Sequence, residues 1–492
     1  MTLYAIAPPA PHADRRGEPS PICEPVVPLA RVRQIVAAVV LIFSAMLIFL
    51  AIDGLTLPMR LTLAVFVATI VAWTILDLPD TPVALAGAAM LPIVGAVDEA
   101  VLYRSLGNDI VWLMLAAFVV AGVLRQVGVV EQIIGRLLAR LNTVKSLFWV
   151  LTLLIFATAF VIPSTSARAA MLAPVYLGLA TAIGNTRVNR VLALLFPSII
   201  LLSAGASLIG AGAHLVAAEM MERTRGHSPD FVDWLALAGP FSLLCSLLAC
   251  AVLLYVFLSA EERGMVLTRC GSQNAPARVT RQQWTVMATA GAMVVLFVIQ
   301  PLHGVGMALI AIVTALLLAT ERISGLSLKI ALKGVEWNLL LFLAGTLVIG
   351  EALLETGTAA ELAERVVSLA GNGIAARPAL LIAFAAIAAT LSHLVITSRT
   401  ARATVLIPAL ALPLAALGVD PLNLIMVVTL ASGFCQTLLV SAKPVALFGS
   451  LDQATFSQSD LLRLASYLIG PFIGLLIVFA TVVWPLQGLP LR

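Results

Sequence analysis

The feature that most constrains this chain is a series of apolar runs, each about as long as a helix needs to cross the hydrocarbon core of a bilayer. They lie near residues 34–51, 61–78, 82–98, 109–126, 189–210, 236–258, 285–302, 304–320, 337–353, 421–445 and 463–486. Hydrophobic residues make up 61% of the 492 positions and charged residues only 11%, which is more apolar surface than a soluble core can bury. We therefore predict an all-α polytopic membrane protein with about eleven spans.

Charge and cysteine usage argue against other classes. The formal net charge is only +4 and the basic residues are spread between apolar runs, so we predict no nucleic-acid partner. The sequence has no His-rich cluster, zinc motif or pair of intramembrane aspartates, which argues against a membrane enzyme. The cysteines have neither metal nor disulfide spacing: Cys23, Cys245, Cys250, Cys270 and Cys435.

Two more apolar regions, 147–185 and 377–417, are interrupted by Ser/Thr/Arg clusters and prolines. This pattern favours a re-entrant hairpin over a continuous span, because irregular backbone at membrane depth must line a cavity or be buried in protein. The clusters match each other in register, with "STSARAAMLAP" from Ser164 and "SRTARATVLIP" from Ser398. Each follows a Trp-led span and precedes a span with an interrupted interior, which indicates an internal repeat.

The two copies are predicted to enter the membrane from opposite sides, because an odd number of spans separates them. Inverted repeats with broken helices at matching positions are typical of secondary transporters. An ordinary channel would not explain two broken hairpins in inverted register.

The predicted organisation follows from these segments. It comprises a disordered cytoplasmic tail (1–33), N-terminal scaffold spans (34–105), a first inverted repeat (106–258) with hairpin 147–185, a cytoplasmic linker (259–284), connecting spans (285–333) and a second inverted repeat (334–490) with hairpin 377–417. Excess Lys and Arg in alternate connections predicts a multi-pass protein of the cell inner membrane, with its N-terminus cytoplasmic and its C-terminus outside.

The hairpin tips carry the residues best suited to bind an anion. A helix that begins at a Ser/Thr-rich tip directs free backbone N–H groups and a partial positive charge into the cavity. Hydroxyl donors are available at both tips: Ser164, Thr165, Ser166, Ser398 and Thr400. We therefore predict a site for a small dianion between the tips.

Arginines stand within both clusters, and a cation at bilayer depth usually has a partner or a function. Arg168 and Arg402 occupy equivalent positions, whereas Arg399 has Thr165 as its counterpart. One interpretation is that the serines merely cap helices and the arginines bind free carbonyl groups. The other is that the arginines bind substrate.

These motifs resemble those of the divalent anion:sodium symporters, in which a Ser-Asn-Thr motif recurs at two hairpin tips and is followed by Ala and then Pro. The resemblance implies an eleven-span elevator transporter, usually a homodimer, that carries dicarboxylates, citrate or sulfate. It also implies that substrate contacts the unwound stretches of the broken spans, here at Gly210, Ala211, Gly212 and Ser441.

The departures from the family pattern shape the functional prediction. Thr165 and Arg399 replace family asparagines that contact sodium and substrate, and a guanidinium beside a sodium site repels the ion. We expect no cofactor and predict a sodium-independent exchanger of C4-dicarboxylate-like anions in the lipid bilayer, with arginines replacing the charge of sodium. The alternative is a sodium-coupled dicarboxylate or sulfate symporter.

Overall fold

The computed structural model of the protein describes residues 29–129, 141–226, 229–267, 279–375, 377–451, 453 and 455–492. Most of the predicted cytoplasmic tail and the centre of the predicted linker, 268–278, lie outside the described residues. Within these ranges the regular structure is helical, apart from an isolated bridge between Thr143 and Val266. The prediction of an all-α fold is confirmed.

The helices of seven or more residues are numbered in chain order. They are α1 Leu29–Met46, α2 Leu57–Thr74, α3 Asp80–Ile93, α4 Glu99–Ser105, α5 Asp109–Gln126, α6 Val144–Ala157, α7 Thr165–Ile183, α8 Thr186–Ser203, α9 Gly212–Arg225, α10 Phe231–Val252, α11 Arg281–Val298, α12 Met307–Leu318, α13 Trp337–Glu355, α14 Thr358–Ala375, α15 Pro378–Leu391, α16 Arg399–Leu406, α17 Pro421–Ala431, α18 Lys443–Gly449 and α19 Gln458–Val478. Shorter helices are Ala260–Gly264, Gln300–His303, Glu321–Ser324, Leu328–Leu332, Leu412–Ala415 and Trp484–Leu486.

Eight helical stretches in the described part of the chain are long and apolar enough to cross a membrane. They are Arg31–Ala51, Leu57–Thr74, Glu99–Gln126, Thr165–Ile183, Thr186–Ala206, Phe231–Phe257, Trp337–Glu355 and Gln458–Leu486. Five shorter apolar helices accompany them: Asp80–Ile93, Val144–Phe160, Met307–Leu318, Pro378–Leu394 and Pro421–Ala431. The chain is therefore a multi-pass membrane protein, as predicted.

Both predicted hairpins contain a helix, a break and a second helix. After α6, the chain forms a 3₁₀ turn at Thr158–Phe160 and becomes extended at Ser164 before α7. After α15, it forms a 3₁₀ turn at Ser392–Leu394 and becomes extended at Ser398 before α16. The two breaks therefore correspond element by element.

The broken spans also correspond. Two 3₁₀ turns separate α8 from Ala211, whose φ of −160° and ψ of 151° are extended, and α9 begins at Gly212. In the second copy, α17 ends at Ala431, and Ala442 has a φ of −158° and a ψ of 146° before α18 begins. Ala211 and Ala442 are thus structural equivalents.

The order of the helices upstream of the two tips is also alike in the two halves of the chain. Helices α2, α3, α4 and α5 are matched by α11, α12, Leu328–Leu332 and α13 in the same order. The two halves pack against each other reciprocally: α3 of the first half packs against α13 of the second, and α12 of the second packs against α5 of the first. The predicted inversion of the two repeats stays a prediction.

Candidate functional site

A cavity of about 520 Å³ lies where the breaks and the broken spans meet. Residues 163–166, which we call the first tip, and residues 397–400, the second tip, all line it. The remaining wall comes from the starts of α3, α9, α13 and α18, together with Arg402 of α16, Leu201, Val335, Cys435 and Val440. Its volume falls within the range of about 300–1,000 Å³ that is usual for small-molecule sites.

Each tip begins with a serine that caps a helix. The Oγ of Ser164 accepts a hydrogen bond from the backbone N–H of Ala167 at 3.2 Å, and the Oγ of Ser398 accepts one from Ala401 at 3.3 Å. The capping interpretation is thus compatible with a binding role, because each hydroxyl keeps its own hydrogen to donate. Helices α7 and α16 both begin at the cavity and contribute the positive ends of their dipoles.

The first broken span reaches the cavity through Ala211 and Gly212. A Cβ atom on Gly212 would lie 3.2 Å from Oγ1 of Thr400, so the start of α9 approaches the second tip closely. Gly210 is buried and does not line the cavity, and a Cβ there would collide with the carbonyl group of Ala204. It therefore permits the tight turn before α9.

Positive charge enters the cavity from the second repeat alone. Arg399 and Arg402 come from the second tip and its helix, and Lys443 is the first residue of α18. None of the three forms a salt bridge with a carboxylate of the residues described. Their counterparts that line the first half of the cavity, Thr165 and Gly212, are uncharged.

Arg402 is fully buried, yet its guanidinium is mostly unsatisfied. One nitrogen, Nη2, donates to Sγ of Cys435, whereas Nε and Nη1 have no acceptor among the residues that the structure describes. A buried charge without an acceptor is costly, so this group is suited to receive an anion.

Arg399 contacts a neutral residue of the first repeat. Its Nη2 lies 2.9 Å from Nε2 of His214, and its Nη1 donates to the carbonyl oxygen of Leu201 at 3.4 Å. Its Nε lacks an acceptor within the described ranges. A Cβ atom on Gly433 would lie only 2.6 Å from Nη2, so the guanidinium occupies the space that a side chain at 433 would need.

Arg168 has a different environment from its equivalent, Arg402. It is fully buried and does not line the cavity. Its four hydrogen bonds go to Oγ1 of Thr158 (2.9 Å), the carbonyl oxygens of Ile155 (2.6 Å) and Ile200 (3.0 Å), and Oγ of Ser203 (2.7 Å). This arginine joins α6, α7 and α8, and its geometry favours the scaffold interpretation.

Ser441 also lies outside the cavity wall. Its Oγ is 2.5 Å from the carbonyl oxygen of Cys435 and 2.6 Å from that of Leu438, and the residue is buried. Its neighbours Val440 and Ala442 line the cavity instead. Ser441 therefore stabilises the break between α17 and α18 and contributes to the site through its neighbours.

Six polar residues of the cavity wall lie outside the predicted set: Asp80, Thr81, Glu336, Asn338, Thr397 and Lys443. Asp80 and Thr81 begin α3, and Glu336 and Asn338 flank the start of α13. The Asp80 carboxyl group faces the hydroxyl of Ser398 and the ammonium of Lys443. In the sequence, the acidic residues are marked only by their position at the start of an apolar run. Acidic residues are common at helix N-termini, so this position does not by itself indicate a binding site.

This chain is similar in sequence to a known family of transporters and to individual bacterial membrane proteins. The family described as citrate transporter (CitMHS) matches residues 64–431, and a second, overlapping match covers 294–489. An uncharacterised transporter of Mycobacterium tuberculosis is 26% identical over 331 residues, which is 65% of this chain and 74% of the relative. A membrane protein of Cupriavidus necator is 25% identical over 403 residues, or 75% and 76% of the two chains.

A solved structure supports the fold. The crystal structure of the YdaH transporter of Alcanivorax borkumensis, described as having an unusual topology, superposes with a TM-score of 0.57 and 14% identity. The match covers 88% of this chain and 99% of that one. The family shown is related to the divalent anion:sodium symporters that the motifs resemble, and its members are transporters. The chain thus belongs to the citrate transporter family and is a membrane transporter rather than an enzyme.

Proposed function

We propose that this protein transports a small carboxylate with at least two negative charges, a C4-dicarboxylate or citrate, through the cavity between the two tips. One observation carries the proposal: Arg399, Arg402 and Lys443 line one cavity without a salt bridge to any described carboxylate. The family description points to citrate, and the two-sided cavity suits any ligand with separated carboxylates.

The two sides of the cavity have complementary roles in this proposal. Carboxylate oxygens would supply acceptors to Nε and Nη1 of Arg402, which have none among the described residues. Such charge-assisted hydrogen bonds are about twice as strong as neutral ones. A second carboxylate of the same ligand would meet the hydroxyls of Ser164, Thr165 and Ser166 and the start of α7.

We also propose that transport is independent of sodium and proceeds by anion exchange. Arg399 and Lys443 are basic residues at the second tip and the second broken span, where a bound cation would be repelled. The neutral first tip favours the alternative, a sodium-coupled symporter, because no basic residue of that tip lines the cavity.

The mechanical proposal is an elevator in a homodimer of the cell inner membrane, with the N-terminus cytoplasmic and the C-terminus outside. The tips and broken spans would move together as the transport domain. Helices α3 and α13, which line the opposite side of the cavity, would belong to the stationary scaffold. The reciprocal packing of α3 with α13 and of α12 with α5 supports a scaffold shared by both repeats.

Counterflow in proteoliposomes tests both substrate and coupling. Vesicles loaded with unlabelled citrate or succinate should accumulate the labelled anion from a sodium-free medium with no ion gradient. Uptake into vesicles without internal anion should be slow. Strict dependence on a sodium gradient would favour the symporter instead, and failure to move any multivalent carboxylate would reject the proposed substrate class.

A further inference from the structure

His214 is a buried residue of α9 that the proposed binding of substrate does not use. It follows the extended residue Ala211 by three positions, and its ring packs 5.3 Å from the ring of Trp234. Both of its ring nitrogens have partners: Nδ1 lies 2.8 Å from the carbonyl oxygen of Ser207, and Nε2 lies 2.9 Å from Nη2 of Arg399.

These partners fix the protonation state of the imidazole. A carbonyl oxygen can only accept, so Nδ1 must carry the hydrogen and donate it to Ser207. A guanidinium can only donate, so Nε2 must be bare and accept from Arg399. Only the neutral ring with hydrogen on Nδ1 satisfies both contacts.

The surroundings offer no described carboxylate close to the ring that could stabilise a second hydrogen. Arg399 and, beyond it, Arg402 are the charged groups that face it from α16. The acidic groups of α9 and α13 nearest along the helices, Glu219 and Glu351, are bound to Arg223 at 2.6 and 3.1 Å. Glu219 lies five residues after His214, which is about 7.5 Å further along the axis of α9.

We propose that His214 is the positioning residue of Arg399. As a neutral acceptor it holds the guanidinium at the cavity wall, and its protonation releases the arginine and weakens anion binding. This inference rests on the proposed function and adds a pH-dependent control to the same site. A protonated ring would lose its acceptor and place two cations in contact.

Three variants separate this role from a structural one. His214→Gln keeps an acceptor that cannot be protonated in this pH range, and His214→Ala removes the acceptor. His393→Gln is the control for a buried histidine that contacts no guanidinium: its Nε2 contacts Oγ1 of Thr437 at 2.5 Å, and Arg402 acts on it only through its charge. Citrate binding is measured by calorimetry between about pH 8 and about pH 4.5, a range that extends well below the ordinary titration of histidine.

The H214A variant should bind citrate about tenfold more weakly at the alkaline end, and H214Q should stay within about threefold of wild type. On acidification, wild type and H393Q should lose more affinity than H214Q. Citrate itself takes up protons in this range, but this affects every protein equally. It therefore cancels in the ratio of variant to wild-type affinity at each pH. Equal pH profiles for wild type and H214Q, a steeper loss in H214Q, or unchanged affinity in H214A would overturn the proposal.

A second readout needs no ligand. Phenylglyoxal labelling at one fixed pH, followed by mass spectrometry, should modify Arg399 several-fold faster in H214A than in wild type or H214Q, with the exposed Arg187 as the internal reference. Unchanged labelling of Arg399 would reject the contact. If no carboxylate binds wild type while labelling responds as expected, the proposed substrate class fails and the positioning role stands.

Discussion

Arg168 and Arg402 occupy the same position in two copies of one motif, four residues after a capping serine, yet their surroundings differ. Arg168 has four acceptors from three neighbouring segments, whereas Arg402 has one, the thiol of Cys435. Only Arg402 lines the cavity. Equivalent positions of a repeated motif therefore differ in environment: Arg168 joins helices, and Arg402 lines the cavity in which we propose that the ligand binds.

The difference arises in the elements that pack against each arginine. In the first repeat, Oγ1 of Thr158 and Oγ of Ser203 both face the guanidinium of Arg168. In the second repeat, the hydroxyl of Ser392 donates to the carbonyl oxygen of Ala389 at 2.6 Å, just as Thr158 donates to Ile155, but it makes no hydrogen bond to Arg402. The two arginines thus differ in whether the neighbouring hydroxyls reach the guanidinium.

Replacing Arg168 by methionine should have the largest effect, and the effect should be on stability. The change removes all four buried hydrogen bonds of the guanidinium, and a buried group that is left unsatisfied costs about 1–3 kcal/mol. We expect a destabilisation of about 3 kcal/mol, seen as a lower thermal midpoint in detergent. The folded fraction should bind citrate normally, and selective loss of binding would contradict the scaffold role.

The same substitution at Arg402 should act on binding. The guanidinium of Arg402 makes one hydrogen bond, and its Nε and Nη1 have no described acceptor. Removing this buried charge costs little, so Arg402→Met should leave the thermal midpoint unchanged or raise it. Citrate affinity should fall by about 30-fold, equivalent to about 2 kcal/mol. A variant that bound citrate like wild type but unfolded early would reverse the comparison.

Lys443 extends the contrast to the broken spans, because its equivalent in the first repeat is Gly212. Lys443→Gln should weaken citrate binding by about tenfold, since an exposed cation that faces the cavity contributes less than a buried one. The deficit should shrink at high salt, which screens an accessible charge. Affinity measured over a series of chloride concentrations checks both expectations.

Asp80 should give the smallest effect, with the opposite sign. Its carboxyl group faces Ser398 and Lys443 and repels an anion there, so Asp80→Asn should tighten citrate binding by about threefold. Glu336→Gln is the control, as it removes another carboxylate of the same wall. Weaker binding in D80N would show that this aspartate holds a cation, and it would favour the cation-coupled alternative.

Local patterns were enough to predict much of this molecule. The apolar runs, the two breaks and the capping serines depend on neighbouring residues, and the structure places each near its predicted position. The helix α14, Thr358–Ala375, was missed because charged residues such as Glu361 and Arg365 lower its hydropathy. The alike order of the helices upstream of the Trp-led spans was missed because no shared motif marks it.

The distinction between the two arginines could not be predicted in the same way. It depends on acceptors that lie 10 to 35 residues from Arg168 in sequence and meet it only after folding. Asp80 joins the cavity for a similar reason, because α3 packs against α13 from the other end of the chain. Packing between distant elements decides which polar residues share a site.

The missing side chain at Gly433 has a consequence for how this protein can evolve. A methyl group there would stand 2.6 Å from Nη2 of Arg399 and 3.0 Å from the carbonyl oxygen of Leu430. An exchange of Gly433 for alanine would therefore require the guanidinium to move and the backbone at Leu430 to adjust. We expect the cation at the second tip to restrict which residues position 433 can accept.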